Sequence, residues 1–417
     1  MRGRALENAQ CTASQENKAV RSGPLSGIRV LDLTRVFAGP FCTKILGDLG
    51  AEILKVEALG TGDRTRALPP IVEGESHYFH AINHNKKSIA IDTRTPEGHD
   101  VALDLARHAD IIIENFRPDV MDRLGLSTEI LRAANPKLIV CSISGYGKGN
   151  TMSNKPSFDV VAQAMSGVMS LTGEPDGPPT KIGVPLGDIA GGVWAAISVL
   201  SALQHRNATG EALEIDLSLF DGLIGILGCL GEIYLMTGKS PARYGGGHYS
   251  VVPYGLYPCK DGHIVIAPHV GDFWEKLCMA IGRPDLAEDS RFRTVADRSA
   301  HRDILQPLVG EILKTRTATE WHEILDAADV PNSMVNSVGE ALNEPVVGER
   351  KMIRSYEHPT GGTIRVIDSP VRFVGRFEDE PMAHAPLLGE HTRSILADLL
   401  GYSKERISTL VERKVIG

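Results

Sequence analysis

The 417-residue chain is short of aromatic side chains, which make up 5% of it, and it has no excess of positive charge. Its formal net charge is −8, which argues against a general affinity for nucleic acid or for an anionic membrane surface. Charged residues interrupt the most hydrophobic segments, so we expect no apolar run long enough to span a bilayer. What remains is an ordinary composition for a soluble globular enzyme, with enough residues for two or three domains.

Cysteine pairs are also missing. The six cysteines are scattered, with no CxxC pair and no histidine at metal-binding spacing, which favours a reducing compartment and no metal site. Residues 1–22 are polar, and they contain Arg2 and Arg4 but no apolar core of a secretory signal. The sequence therefore predicts a disordered leader and a cytoplasmic protein, with an organellar address as the alternative.

Strands and helices alternate from Gly27 onward. IRVLDLT is typical of a strand, Ala38-Gly39-Pro40 opens a helix, and residues 51–57 return as a second strand. The pattern repeats over residues 88–114 and again at LIVCSISGYG. Three alternations in one direction predict an α/β large domain with a Rossmann-like, doubly wound parallel sheet. No GxGxxG follows the first strand, so a dinucleotide cofactor is not supported.

The sequence pattern changes at Gly238, which indicates the start of a second domain. After a long apolar helix predicted at Phe220–Leu235, a glycine-rich loop leads to a β-rich stretch with Lys260-Asp261-Gly262 as its hairpin turn. Amphipathic helices follow over residues 272–345. We therefore divide the chain into a leader (1–22), a large domain (23–235), a small α+β domain (240–345) and a C-terminal part (346–417) that returns to the large domain.

One carboxylate, Asp188, stands in a Gly-Asp-Ile-Ala-Gly-Gly turn where helical spacing begins. Asp188 could simply cap the helix, because unpaired backbone N–H groups favour an ionised carboxylate there, and the local pattern favours this interpretation. It could instead be a nucleophile, since the glycines leave room for a substrate. Apolar residues at every third or fourth position predict a buried helix beyond the turn: Val193, Trp194, Ile197, Leu200 and Leu203.

Cationic residues cluster near the predicted strand ends. Each alone is typical of a solvated surface charge, but together they would suit a polyanion such as a nucleotide diphosphate. They are Lys86, Lys87, Arg94, Arg117 and Arg123.

Many ordered motifs resemble the class III coenzyme A transferases, and they extend from Leu25 to the end of the chain. They include GIRVLDLTRVFAGPFCTKILGDLGAEILKVE, NHNKKSIAIDTRTPEG, ENFRP, FDVVAQAMSGVMSLTG, GVPLGD and PLLGEHT. The resemblance implies an interlocked homodimer with active sites between large and small domains. It also implies acyl-CoA and a carboxylic acid as substrates, with no permanently bound cofactor.

The resemblance places Asp188 at the family's catalytic aspartate, which reverses the preference for a cap. Its carboxylate would attack the donor thioester to give an aspartyl-acyl anhydride, and CoA thiolate would then form an aspartyl-CoA thioester. An aspartate of ordinary pKa, about 3.9, is already ionised at neutral pH, so we expect no general base for it. By family position, CoA would lie along Phe37, Ala38, Ile91, Asp92, Thr93, Arg94, Asn115, Phe116, Arg117, Arg123 and Asp159.

Fewer residues of the sequence point to the substrate than to CoA. Backbone N–H groups near Ala38 and in the Gly245-Gly246-Gly247 loop would stabilise the acyl oxygen, although that loop alone is equally typical of a flexible linker. Phe37 replaces the Gln of the oxalate enzymes, which argues against oxalate, and Ala58 replaces a basic residue of the nucleotide contact. HYSVVPYGLYPCKDGHIVIA resembles members that use succinyl-CoA and glutarate-like dicarboxylates. A distal carboxylate would need a cation, and the candidates are Arg64, Arg66 and His248.

Two other functions stay open. The α-methylacyl-CoA racemases share the fold, but they use a His before the FDVVAQ aspartate and a Glu in the small domain, where this chain has Phe158 and Val270. Proton abstraction and return need two titratable groups, so a racemase is the second choice. A non-catalytic acyl-CoA-binding protein would need the basic loops but not Asp188.

Overall fold

The computed structural model describes residues 22–377 and 380–417, so the predicted leader lies outside the described residues except for Ser22. The described cysteines are free thiols: Cys42, Cys141, Cys229, Cys259 and Cys278. The chain forms two compact units. The first contains the described residues up to Met165, Val184–Ile226 and Gly348–Gly417, and the second contains Ser166–Gly183 and Leu227–Val347. The segment Ser166–Gly183, which the sequence prediction assigned to the large domain, therefore groups with the second unit.

Six parallel strands form the central sheet of the first unit. They are β1 (Arg29–Asp32), β2 (Glu52–Ala58), β3 (Lys86–Ile91), β4 (Ile111–Glu114), β5 (Ile139–Ser144) and β6 (Glu214–Ser218). Their order is β3-β2-β1-β4-β5-β6, which is that of a doubly wound sheet. The winding reverses between β1 and β4, and ligands of such sheets bind at the carboxyl ends of the strands at this point. The predicted parallel α/β sheet is confirmed.

Helices cover both faces of this sheet. Leu31, Leu54 and Ile112 pack with Val101 and Leu105 on one face. The intervening strand residues are also buried, and helices on the other face contact them. Four helices of this unit are labelled α1 (Ala38–Asp48), α2 (Asp159–Met165), α3 (Leu186–Thr209) and α4 (Leu219–Ile226). The other described helices of this unit are Arg64–Ala67, His77–Asn83, Pro96–Arg107, Val120–Arg123, Thr128–Ala134, Thr392–Ser394, Ile395–Leu399 and Lys404–Glu412. Two pairs of short strands also belong to it: Ile71–Val72 with Glu75–Ser76, and Ile353–His358 with Gly362–Ile367.

Helix α3 turns mainly its small residues towards the core, and of the large residues predicted there Leu203 is buried. Val193, Trp194 and Ile197 are 39%, 40% and 47% exposed, so the prediction that they form the buried face is wrong. The buried positions of α3 are Gly187, Ala190, Gly191, Gly192, Ala195, Ala196, Val199, Ala202 and Leu203.

The reason is the close approach of α1 and α4 to α3. A Cβ atom added to Gly192 would lie 2.8 Å from the Ala38 carbonyl oxygen and 2.9 Å from a ring carbon of Phe41. A Cβ on Gly191 would collide with the side chain of Leu219. The predicted glycine turn is therefore helical, and its glycines make room for neighbouring elements rather than for a substrate.

By length and composition, the 24-residue α3 is long and apolar enough to cross a membrane, which contradicts the expectation that no segment is. Half of its most apolar window is buried inside the protein, against α1 and the sheet. A core helix of a globular protein has these same properties.

The second unit is mainly helical around a three-stranded antiparallel sheet, ordered Asn332–Met334, His263–Ile266, Gly255–Pro258. The predicted helix at Phe220–Leu235 is not continuous: α4 ends at Ile226, and the next helix begins at Cys229 after Gly228, whose φ is 52°. The other helices here are Val168–Leu171, Cys229–Thr237, Phe273–Ala280, Asp285–Glu288, Val295–Ala300, Arg302–Leu313, Ala318–Ala327 and Val338–Asn343, followed by Pro345–Glu349 at the boundary.

Glu75, His80 and His358 come together although no metal-binding spacing is visible in the sequence. Both ring nitrogens of His358 are already engaged, because Nδ1 accepts from the Gly361 N–H (3.1 Å) and Nε2 donates to the Ala385 carbonyl oxygen (3.1 Å). We therefore interpret this cluster as part of a hydrogen-bonded network that fixes the hairpin formed by Ile353–His358 and Gly362–Ile367.

The contact of α3 with α1 leads to a stability prediction. Gly192→Ala should lower the free energy of unfolding by about 1–3 kcal/mol, because the added methyl group would overpack the contact with Ala38. Gly339→Ala is the matched control, since its Cβ would meet only the Ser337 hydroxyl at 4.0 Å in an exposed helix. Denaturant unfolding of both variants tests this, and equal stabilities would contradict the close approach.

Candidate active site

Two cavities open at the carboxyl ends of the strands where the winding reverses. The Asp188 cavity, of about 230 Å³, is lined among others by Arg35, Phe37, Ala38, Asn115, Phe158 and Asp188. The Arg94 cavity, of about 680 Å³, is lined among others by Arg35, Ala58, Ile91, Asp92, Thr93, Arg94, Phe116 and Arg117. Both belong to the first unit, and they share Arg35, Phe116 and Arg117.

The loop between β1 and α1 is strained and firmly held. Val36 has a φ of 69°, a conformation that is sterically costly for a β-branched residue. Its N–H donates to Asp63 Oδ1 at 3.3 Å. At Arg35, the backbone N–H donates to Asn115 Oδ1 (2.8 Å) and the carbonyl oxygen accepts from Asn115 Nδ2 (2.7 Å). These bonds fix the wall that Phe37 and Ala38 contribute to the Asp188 cavity.

Lys86 forms hydrogen bonds to residues on either side of this loop and is not among the lining residues of the two cavities. Its buried ammonium group donates to Asp32 Oδ2 (3.2 Å), the Pro40 carbonyl oxygen (3.0 Å) and Thr43 Oγ1 (2.8 Å). The prediction that Lys86 belongs to an anion-binding cluster is therefore wrong. Lys87 is paired with Glu52 at 2.7 Å, and both lysines lie at the amino end of β3, away from Arg94.

Asp188 is the third residue of α3 and does not cap it. Pro185 holds the N-cap position. Asp159, on α2, accepts the Gly187 N–H at 2.7 Å with Oδ1 and the Gln163 side-chain amide at 2.8 Å with Oδ2. No residue in the described ranges forms a hydrogen bond or ion pair with the Asp188 carboxylate. The neighbouring carboxylate therefore satisfies the helix end, which leaves Asp188 available for chemistry.

Burial, followed by the negative charge of Asp159, raises the pKa of Asp188 to about 7. The expectation of an ordinary pKa is therefore wrong. The first turn of a helix favours a charged carboxylate, but here the loss of hydration and the neighbouring charge outweigh it.

Tyr78 is a further neighbour of Asp188 that the sequence analysis missed. Burial, followed by the charges of Asp188 and Asp159, raises the pKa of the Tyr78 phenol. Its ring packs edge-on against Phe37 at a centroid distance of 5.8 Å. No sequence motif indicates Tyr78, because it belongs to the separate helix His77–Asn83.

The structure brings together most of the residues predicted to contact CoA. Phe37, Ala38 and Asn115 line the Asp188 cavity, and Ile91, Asp92, Thr93 and Arg94 line the Arg94 cavity. Arg94 forms two hydrogen bonds to Asp92, at 2.8 and 2.9 Å. Arg123 is absent from the described linings of these two cavities, and its Nε lies 3.4 Å from Asp119.

The residues predicted to bind the substrate differ in their locations and in their hydrogen-bond partners. Arg66 is committed to Glu57 by hydrogen bonds of 2.8 and 2.7 Å. Gly245, Gly246, Gly247 and His248 belong to the second unit. His248 Nδ1 accepts from the backbone N–H groups of Ser250 and Val251, and burial lowers its pKa, so the ring is neutral near pH 7 rather than cationic.

Comparisons with known proteins show the family to which the chain belongs. Residues 25–392 match the model of CoA-transferase family III. The chain is 37% identical to succinyl-CoA:glutarate CoA-transferase of Mus musculus over 94% of this chain and 90% of that protein. It is 38% identical to acetyl-CoA:oxalate CoA-transferase of Acetobacter aceti over 90% of this chain and 96% of that protein.

Among solved structures, a CAIB/BAIF family protein from Brucella suis superposes with a TM-score of 0.80 at 38% identity, over 91% of this chain and all of that one. The fold and site thus define a CoA-transferase with a doubly wound α/β sheet. The chain belongs to CoA-transferase family III.

The Asp159 charge leads to a pH prediction. Asp159→Asn should shift the midpoint of the pH profile of kcat/KM below 7, because the Asp188 carboxylate then ionises without a neighbouring negative charge. The asparagine oxygen can still accept the Gly187 N–H. Asp221→Asn, which removes an exposed carboxylate of α4, should leave the midpoint unchanged. A midpoint that stays or rises in Asp159→Asn would contradict the assignment.

Proposed function

We propose that the protein transfers CoA from succinyl-CoA to a dicarboxylate acceptor, with Asp188 as the covalent nucleophile. The observation that carries this proposal is an aspartate without polar partners, in a cavity at the ligand-binding end of the sheet. A residue kept only for structure would be paired or capped at such a position. The partly buried carboxylate is also desolvated, which makes its ionised form more reactive.

The reaction proceeds in balanced steps. The ionised Asp188 oxygen attacks the acyl carbon of succinyl-CoA, the C–S bond breaks, and CoA leaves as a thiolate. The thiolate attacks the Asp188 carbonyl carbon of the anhydride and releases succinate, leaving an aspartyl-CoA thioester. The acceptor carboxylate then attacks this thioester to form a second anhydride, and the thiolate returns to the acceptor's acyl carbon. The new acyl-CoA leaves, and the Asp188 carboxylate is regenerated.

The pKa of Asp188 sets a condition on the first step. Only the ionised form attacks, so the rate should rise with pH through about 7. Each attack places negative charge on an acyl oxygen, which backbone N–H groups at the start of α1 would stabilise. Ala38 opens that helix, and no side chain caps its first turn.

CoA extends across both cavities in this proposal. The Arg94 cavity accommodates the nucleotide, and the Asp188 cavity accommodates the thioester end. Phe116 and Arg117 line both and follow β4 at the point where the winding reverses. CoA acts as a substrate thioester, and the proposal involves no resident cofactor and no metal.

The choice of a dicarboxylate rests on the relatives and on Phe37. The similar mouse enzyme is named for succinyl-CoA and glutarate, and the similar Acetobacter enzyme for acetyl-CoA and oxalate. Phe37 packs against Phe41 and Tyr78 and gives the cavity an apolar wall, which favours an acceptor with a methylene chain over oxalate. Of the three candidate cations for its distal carboxylate, Arg64 has no ion-pair partner among the described residues, so we favour it.

We also propose that the enzyme is a cytoplasmic homodimer. The outer face of α3 exposes Val193, Trp194 and Ile197, and α2 exposes Val160 and Val161 nearby in the same unit. Contiguous exposed apolar surface of this kind is typical of a protein interface. An interlocked arrangement, as the family resemblance implies, would cover it.

The racemase alternative finds no support at the site. Phe158, at the position of the racemase histidine, lines the Asp188 cavity and cannot accept a proton. Val270, at the position of the glutamate, is 60% exposed in the second unit. Exchange of deuterium into the α-position of a 2-methylacyl-CoA that persists in Asp188→Asn would favour the racemase.

The covalent mechanism predicts a trapped adduct. Incubation with succinyl-CoA followed by hydroxylamine should inactivate the enzyme and convert Asp188 to a hydroxamate, visible by peptide mass spectrometry. Asp188→Asn should show no adduct and at least about a 10³-fold loss of kcat, as for other covalent nucleophiles. Asp221→Asn is the control and should behave as the wild type. An unmodified Asp188 peptide after succinyl-CoA and hydroxylamine would rule out the anhydride and thioester.

The proposed dimer predicts a defined effect of charge on α3. Ile197→Asp should give a monomer in light scattering after size-exclusion chromatography, because an unpaired charge would be buried in the interface. Ile130→Asp is the control, since Ile130 is comparably exposed (42%) on the distant helix Thr128–Ala134. A stable Ile197→Asp dimer would place the interface elsewhere.

A further inference from the structure

Arg35 stands in the wall that separates the two cavities and lines both of them. Its backbone is clamped to the Asn115 side chain, so the loop that carries it is fixed to the end of β4. Its guanidinium group stacks over the Phe116 ring at 4.9 Å. The fixed backbone and the Phe116 ring thereby orient the side chain.

Unlike Arg94 and Arg66, Arg35 has no ion-pair partner among the described residues, although the negative charge of Asp63 acts on it from beyond ion-pair distance. Arg94 is paired with Asp92, and Arg66 is paired with Glu57. No carboxylate within the described ranges forms an ion pair with Arg35. Burial lowers the pKa of its guanidinium, which nevertheless stays a cation because arginine does not deprotonate in proteins. A partly desolvated, unpaired guanidinium in a cavity wall is suited to an anionic ligand.

Ala58 makes this cation more important. It lies in the wall of the Arg94 cavity, where the family resemblance leads us to expect a basic side chain for the nucleotide. One positive charge is therefore missing from the nucleotide end of the site. Arg35 lines the same cavity and has no basic counterpart opposite it at position 58.

We propose that Arg35 binds the diphosphate of CoA and replaces the basic residue missing at position 58. The proposal rests on the proposed function, since it assumes that CoA spans both cavities. The diphosphate is the anion that lies between the adenosine and the pantetheine arm, and Arg35 lies between the cavity for the nucleotide and the cavity for the thioester. The planar fork of a guanidinium group matches two phosphate oxygens.

The experiment measures binding of three ligands by titration calorimetry: CoA, dephospho-CoA and pantetheine. Arg35→Gln should bind CoA about 10- to 100-fold more weakly than the wild type, as expected for a lost charge-assisted hydrogen-bonded pair. Dephospho-CoA keeps the diphosphate, so its affinity should fall by the same factor. Pantetheine lacks every phosphate, so its affinity should not change.

Two further variants test the assignment. Arg107→Gln, an exposed arginine paired with Asp104, is the matched control and should bind CoA as the wild type does. Ala58→Arg introduced into Arg35→Gln should restore part of the lost affinity. Absence of that rescue would overturn the claim that one cation substitutes for the other.

The remaining outcomes are also decisive. An equal loss of affinity for pantetheine would mean that Arg35 only shapes the cavity wall. A loss of affinity confined to CoA would mean that Arg35 contacts the 3′-phosphate. Either result overturns the proposal. Unchanged CoA binding by Arg35→Gln overturns it while leaving the transferase intact. A wild-type protein that fails to bind CoA would instead overturn the proposed function itself. Circular dichroism confirms that each variant is folded before titration.

Discussion

The buried pairing of Lys55 and Lys86 with carboxylates holds together the elements on which the site depends. Lys55 Nζ lies 3.0 Å from Asp63 and donates to the Thr34 carbonyl oxygen, and Lys86 Nζ lies 3.2 Å from Asp32. Removing an ion from water costs several kcal/mol, and excellent geometry must offset that cost. Here the ammonium groups find backbone and hydroxyl oxygens as well as carboxylates. Loss of one partner would leave a buried charge unpaired, and about 3–5 kcal/mol would be lost.

This network explains why a strained loop persists in the wall of the Asp188 cavity. The left-handed backbone of Val36 is unfavourable by itself, and it is retained because Thr34, Arg35 and Val36 are each tied to side chains of other elements. On the opposite side, the glycines of α3 bring that helix against the start of α1. Asp188 is thus positioned by packing and backbone hydrogen bonds, so its own carboxylate needs no polar partner.

Much of the fold could be predicted from the sequence, because it depends on local patterns. Alternating apolar strands and capped helices indicated the parallel sheet, and the family motifs indicated the cavity-lining residues that follow β1, β3 and β4. The faces of α3 could not be predicted, because large apolar residues at helical spacing look the same whether they face a core or a partner. The burial of Lys86 and the pKa of Asp188 depend on contacts with Asp32 and Asp159, which are distant in the sequence. Such pairings become visible only when the chain is folded.

The burial of Asp188 beside a second carboxylate has a consequence for how the cavity responds to its surroundings. Burial, followed by the charge of Asp159, raises the pKa of Asp188 to about 7, so the charge of this carboxylate changes near neutral pH. Acidification within that range protonates Asp188, and a return to higher pH restores its negative charge. Burial of this carboxylate beside Asp159 thereby couples the charge of the Asp188 cavity to the ambient pH.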